Sequence, residues 1–257
     1  MANNQASRRA RRAPAGRTGR LRDHFSGRID GLTSAIFVFP LFATYQVGIL
    51  LSPGQNGADF ITRGLIELCE RDLTNYLVVM GVMVVVYLAL ILALRARETF
   101  HPHAFIPVLA ESSLYALTMG TLIIFVMQEL IAVPPGLRLP ALSASSSALG
   151  PLTILVISAG AGLHEELIFR IGGMGGLAWL LSGLTGRRRA WLLALVISSV
   201  AFSLAHHIGP AGETFRFAAF TYRALAGVVF ALIYQVRGFA VAAWTHALYD
   251  VYVFSAS

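Results

Sequence analysis

The chain has 257 residues, 56% of them apolar and 13% charged, with a mean hydropathy of +0.68. That balance lies beyond what a soluble domain of this size carries, so lipid is the solvent for most of the chain. The formal charge of +7 arises from 20 Arg and no Lys, and eight of those Arg fall within the first 28 residues; with no basic helix or aromatic platform following them, a nucleic-acid partner is not expected.

Residues 1–29, rich in Arg, Ala and Gly, read as a disordered tail carrying positive charge. The apolar stretch after it is about 20 residues long and is closed by no small-residue cleavage pattern, so it predicts a retained membrane helix rather than a signal peptide. A helix-length window gives apolar spans at 31–52, 74–94, 113–133, 150–183, 190–208, 214–236 and 238–255. The expected fold is therefore an all-α, polytopic membrane helical bundle of about seven transmembrane helices. Between the first two spans, segment 58–72 places Ile61, Leu65, Ile66 and Cys69 near one face with charges opposite, as an interfacial helix would. Cys69, the single cysteine, reads as a packing residue. The stretch from Pro140 to Pro151 reads as a flexible loop dividing an N-terminal three-helix part, 30–140, from a site-bearing part, 150–257. Under seven alternating crossings, fourteen Arg (the tail, Arg95, Arg97, Arg187 to Arg189 and Arg237) face one side, against Arg63, Arg71 and Arg138 on the other. The positive-inside rule then predicts a cytoplasmic N-terminus and an outside C-terminus in a cell membrane. Arg-only basicity fits a GC-rich bacterial genome, hence a bacterial inner membrane.

Three apolar spans carry ionisable residues, and an ionisable residue at membrane depth marks a functional site by default. The fourth span contains AGLHEELIFRIGG, in which Glu166 and Arg170 are four apart and share a helix face as a pair. Glu165, rotated about 100° from Glu166, lies off that face and is suited to take a proton from water. The fifth span ends VAFSLAHHIGP, with Phe202 and His206 four apart and Gly209-Pro210 expected to stop the helix. The seventh contains AAWTHALYDVY, which puts His246 and Asp250 on one face and leaves Trp244 and Tyr249 as packing or interface aromatics. Three such pairs in three polar stripes point into one cavity. Ser203 and Ser199, like other small hydroxyl residues of membrane helices, read as packing residues. His164 and His207 read as supporting or interface residues.

The succession Glu-Glu-x-x-x-Arg, Phe-x-x-x-His, His-x-x-x-Asp resembles the CPBP family of intramembrane proteases, also called the CAAX-protease and bacteriocin-processing or Abi family, over roughly residues 150–255. The resemblance implies an endopeptidase in which Glu165 activates the hydrolytic water with His206, Glu166 and Arg170 hold the site, and His246 with the residue at 250 stabilises the oxyanion. Asp250 departs from the Asn often found there. An ionised Asp cannot donate to an oxyanion, so it is protonated, orients His246 or binds a metal.

No cofactor is favoured, but a divalent metal such as zinc is possible, with Glu165, His206 and His246 as its ligands. The run from His164 to Ile168 is not His-Glu-x-x-His, which rules out a zincin helix. Glu165 precedes Arg187 by 22 residues and His206 follows Arg189 by 17, which places both in the outer half of the membrane. His246 and Asp250 come out nearer its middle. A break at Gly172–Gly176 would invalidate this count. The expected cavity opens outward, towards a membrane-associated or exported peptide or protein, with a C-terminal or membrane-anchored segment as the substrate. Arg223 could meet a substrate carboxylate or Asp250; snorkelling or pairing with Glu213 is the alternative, and applies equally to Arg216. An inactive binding scaffold and an ion or proton transporter are the rival functions. A transporter would show broken helices in two related halves, whereas these polar residues gather in one half.

Overall fold

A computed structural model describes residues 27–51, 69, 72–131, 150–208 and 212–256. Those residues form helices and connecting turns with no strand. In chain order the helices are α1 (Gly31–Leu51), α2 (Leu73–Arg95), α3 (Pro102–Leu130), α4 (Pro151–Thr185), α5 (Arg187–Ala205), α6 (Phe217–Arg237) and α7 (Phe239–Ala256). The first six are long and apolar enough to cross a membrane. The fold is the all-α membrane bundle that the composition predicts. The tail up to residue 26, most of segment 58–72, Gly209-Pro210 and nearly all of the Pro140–Pro151 loop lie outside the described residues; Cys69 is buried.

Lipid accounts for the outer surface. On α2, Leu77, Val78, Val82, Val85 and Val86 are all more than half exposed, and a helix with that face has only hydrocarbon to meet. The core is built instead from α1, α3, α4, α6 and α7, where Val38, Tyr45, Val108, Val156, Leu163, Ile233 and Val241 join one cluster. Small residues let these helices close: a Cβ on Gly162 of α4 would come within 2.5 Å of the Ala243 carbonyl oxygen of α7, and one on Gly227 of α6 within 3.0 Å of the Ser199 Cα of α5.

Pro40 lies inside α1 and cannot donate to the preceding turn. Two neighbouring carbonyls are occupied from other helices, Phe37 by the Trp244 indole at 2.9 Å and Ala35 by the Tyr87 hydroxyl. Trp244 is thus a packing aromatic. In α4 the Gly172–Gly176 run does not break the chain's longest helix. Residues Ala161–Glu165 and Leu167–Gly176 adopt wide π turns, and the helix continues to Thr185. Such turns are rare and concentrate at functional sites. The third helix starts earlier than hydropathy indicates, because Pro102 supplies a preset first turn ahead of the apolar run.

Away from α4, Glu111 of α3 and Arg237 at the end of α6 form a bidentate pair, Nε to Oε1 at 2.6 Å and Nη2 to Oε2 at 3.1 Å. Tyr115 donates to the same carboxylate at 2.9 Å, and Arg237 also donates to the Gly27 carbonyl, strapping the segment before α1 to the bundle. Arg237 is 5% exposed, so its charge faces Glu111 rather than a loop as hydropathy suggests. Removing one member of a buried pair strands the other: Glu111→Ala should cost about 3–5 kcal/mol and lower the thermal midpoint in detergent. Glu111→Leu with Arg237→Met should recover much of the loss; a double variant as unstable as the single one would refute a stranded charge as its cause.

Candidate active site

The inner wall of the site is a salt bridge. Arg170 Nε donates to Glu166 Oε2 at 3.0 Å, and both side chains are fully buried. The i, i+4 spacing predicts this contact, and it survives the π turns around it. The other oxygen, Oε1, accepts from His246 Nδ1 at 2.9 Å across the gap from α4 to α7. One carboxylate therefore fixes an Arg on its own helix and an imidazole on another.

Aromatic rings close the back of this assembly. The Arg170 guanidinium lies 4.9 Å from the centre of the Phe202 ring and 5.8 Å from that of Phe230. Phe230 also stacks on His246, 4.4 Å between centres at 17°, while Phe202 meets His206 at 5.1 Å and His246 at 5.8 Å edge-on. Phe202 belongs to the sequence pattern, but Phe230 does not. Its signal lay in its spacing of seven residues, two turns, from Arg223, which places both on one side of α6.

α5 stops at Ala205, before Gly209-Pro210, and His206 sits just past its end. The ring is held by its Nδ1, 2.9 Å from the Phe202 carbonyl. A carbonyl oxygen only accepts, so Nδ1 carries the proton and Nε2 is the free face of the ring. That Nε2 lies 3.7 Å from Glu165 Oε2. His246 is built the same way, its Nδ1 on Glu166 and its Nε2 3.9 Å from Glu165 Oε2 and 3.8 Å from Asp250 Oδ2. Two imidazoles with their inner nitrogens tied thus turn their outer nitrogens on one carboxylate. Separations of 3.7 to 3.9 Å exceed a direct hydrogen bond.

Glu165, Glu166, Arg170, His206, His246 and Asp250 are therefore brought together. Counting along the helices puts His246 nearer the middle than Glu165, yet its Nε2 stands 3.9 Å from Glu165 Oε2. Arg223 sits at the margin, its Nη2 donating to Glu213 Oε1 at 2.6 Å. Arg216, the other candidate partner of Glu213, is exposed. His164 meets the Tyr45 ring edge-on at 4.8 Å, and His207 bonds the Glu213 carbonyl at 3.2 Å, so neither ring is directed at the Glu165 carboxylate by these contacts. Tyr249 shares a hydroxyl contact with Tyr222, and Ser203 donates to the Phe220 carbonyl at 2.7 Å, a packing role. Among the described residues, no group of three His, Cys, Asp or Glu side chains is set at metal-binding geometry.

Residues 147–252 match the family model described as type II CAAX prenyl endopeptidase Rce1-like. No curated protein and no solved structure matches the chain. The matched segment contains every residue from Glu165 to Asp250 that carries the CPBP resemblance, and the resemblance holds over it.

The hydrogen-bond pattern fixes which nitrogen of each ring bears a proton. In histidine-labelled protein, ¹H–¹⁵N correlation spectra should show a protonated Nδ1 in both His206 and His246, and Glu166→Ala should release that constraint in His246 alone. An unprotonated Nδ1 in either ring of the native protein would contradict the geometry.

Proposed function

We propose that this multi-pass membrane protein, whose residues 147–252 are an Rce1-like domain of the CPBP family, is an intramembrane endopeptidase that hydrolyses a peptide bond through a glutamate-activated water. The convergence of His206 Nε2 and His246 Nε2 on Glu165 Oε2 carries this reading. Hydrolysis needs a base for the water and a donor for the charge that develops on the carbonyl oxygen. The cluster offers one of each.

A water among these groups gives one proton to the Glu165 carboxylate and hydrogen-bonds through the other to the bare Nε2 of His206. Its oxygen attacks the scissile carbonyl carbon, whose π pair moves to the carbonyl oxygen. His246, with its Nδ1–H on the Glu166 carboxylate, donates from Nε2–H to that oxyanion. When the carbon–nitrogen bond breaks, Glu165 returns its proton to the leaving nitrogen, and the products are a carboxylic acid and an amine. Asp250, 3.8 Å from His246 Nε2, orients the ring rather than donating to the oxyanion. Arg170 and the two phenylalanines act through Glu166 and His246 by holding them.

The substrate is a membrane-associated or exported peptide or protein. Support for an outward opening comes from His206, which follows the 19 residues of α5 that begin at Arg187–Arg189; at ~1.5 Å per residue it stands far from that Arg-rich end. With the Arg-rich end cytoplasmic by the positive-inside rule, the N-terminus lies inside and the C-terminus outside.

Wild type, Glu165→Ala and His206→Ala, purified in detergent, are to be incubated with a peptide library and read by mass spectrometry with and without a chelator. Each substitution should lower cleavage by about 10²–10⁴-fold, with no effect of chelator on wild type. Equal cleavage by all three proteins would end the assignment, and loss of wild-type cleavage with chelator would replace the water-activating carboxylate with a metal.

A further inference from the structure

His206 has an unusual task for its position. It caps α5: its own N–H still bonds the Ser203 carbonyl at 3.3 Å, but its carbonyl lies beyond the helix ladder, and its ring must stay aligned on Glu165. The Nδ1 bond to Phe202 sets the ring's orientation relative to α5, and the His206 carbonyl, which the ladder does not use, is left to be supported from outside the helix.

That support comes from Glu213. Its backbone N–H donates to the His206 carbonyl at 2.9 Å, and its own carbonyl accepts from His207 Nδ1 at 3.2 Å. The Glu213 side chain accepts from Arg223 Nη2 at 2.6 Å, which ties this connection to the first turns of α6. The rings of His207, Phe215 and Phe220 pack beside it, 5.2 to 6.4 Å between centres. Arg223 is 7% exposed; Glu213 is the anion that it hydrogen-bonds, and Asp250 is a second carboxylate within reach of its field. An Arg buried at this depth in a membrane helix is costly to retain without such a counter-charge.

We propose that the Glu213–Arg223 pair is a positioning device for His206: Arg223 fixes Glu213, and the Glu213 backbone fixes the turn that carries the imidazole. The proposal rests on His206 being part of the hydrolytic site. Neither residue touches the reacting atoms, and each acts through His206. Displacement by even about 1 Å of a group that must be aligned can cost a large factor in turnover without weakening substrate binding.

The test uses the full chain in detergent as wild type, Glu213→Gln, Arg223→Gln, their double variant and Arg223→Lys. Diethyl pyrocarbonate is the probe, and acylation of His206 and of His246 is followed separately by mass spectrometry. Breaking the pair should raise the His206 rate severalfold and leave the His246 rate unchanged, with the double variant no faster than either single one. Arg223→Lys, which keeps a cation for Glu213, should restore most of the wild-type rate. On a cleaved peptide, kcat should fall about 10- to 100-fold with KM unchanged. Unaltered His206 reactivity would overturn the proposal, as would a rise at both histidines, which marks general loosening, or a loss confined to KM, which would make Arg223 a substrate contact. Should wild type cleave no peptide while His206 still responds selectively, the positioning role stands and the peptidase reading falls.

Discussion

Everything in the site hangs from the Glu166 carboxylate. It is fully buried, and both its oxygens are committed, one to Arg170 at 3.0 Å and the other to His246 at 2.9 Å. An ionised group in a membrane interior is tolerable only when its charge is matched and its lone pairs are occupied. Arg170 supplies the charge, and His246 fills the remaining oxygen. The same bond that satisfies Glu166 also sets the rotation of His246, so the requirement for a stable interior and the requirement for an oriented ring are met by one contact. Phe202 and Phe230 complete the arrangement: both lie beside the Arg170 guanidinium, Phe230 stacks on His246, and Phe202 meets both imidazoles edge-on.

With Glu166 fixed in this way, the adjacent Glu165 can differ from it although the two share a backbone segment. Each residue of the π turns on α4 still advances around the axis, so neighbouring carboxylates point different ways. Glu166 points to Arg170 and the interior, and Glu165 to the two outer ring nitrogens. In the proposed reaction the first is structural and the second reactive. Two identical side chains acquire separate roles from the helix rotation and from the single Arg four residues on.

The sequence made much of this legible because the decisive pairs are local. Glu166–Arg170, Phe202–His206 and His246–Asp250 are each one helical turn apart, and in an apolar span such spacing has few explanations. The helices were equally legible, since hydrocarbon demands long apolar segments and six of the seven described helices meet that demand. What escaped was non-local. Glu111 and Arg237 are 126 positions apart, so nothing in the pattern marks their pairing, and Arg237 reads as an ordinary loop cation. Phe230 has no signal in hydropathy, because an aromatic stacked on an imidazole and one against an acyl chain score the same. The continuity of α4 through five residues containing four glycines was also hidden; propensity in water argues for a break, but within a bundle the neighbouring helices and the apolar solvent hold the backbone bonds.

The exposures of the clustered side chains differ in a consistent direction. Glu166 and Arg170 have none, Glu165 has 1% and His246 5%, whereas Asp250 has 16%, His206 19% and Glu213 32%. The groups are thus ordered from a fully buried interior on α4 to a more exposed rim at the end of α5 and the segment before α6. Under the proposed mechanism water is a reactant that must reach Glu165 while the charges behind it stay desolvated. A gradient of this kind would serve both needs, with His206 on the open side and His246 on the shielded one. His206 caps its helix, with its N–H on the Ser203 carbonyl and its ring on the Phe202 carbonyl. The carbonyl that the helix leaves over is taken by the Glu213 N–H, and Glu213 is tied to α6 through Arg223.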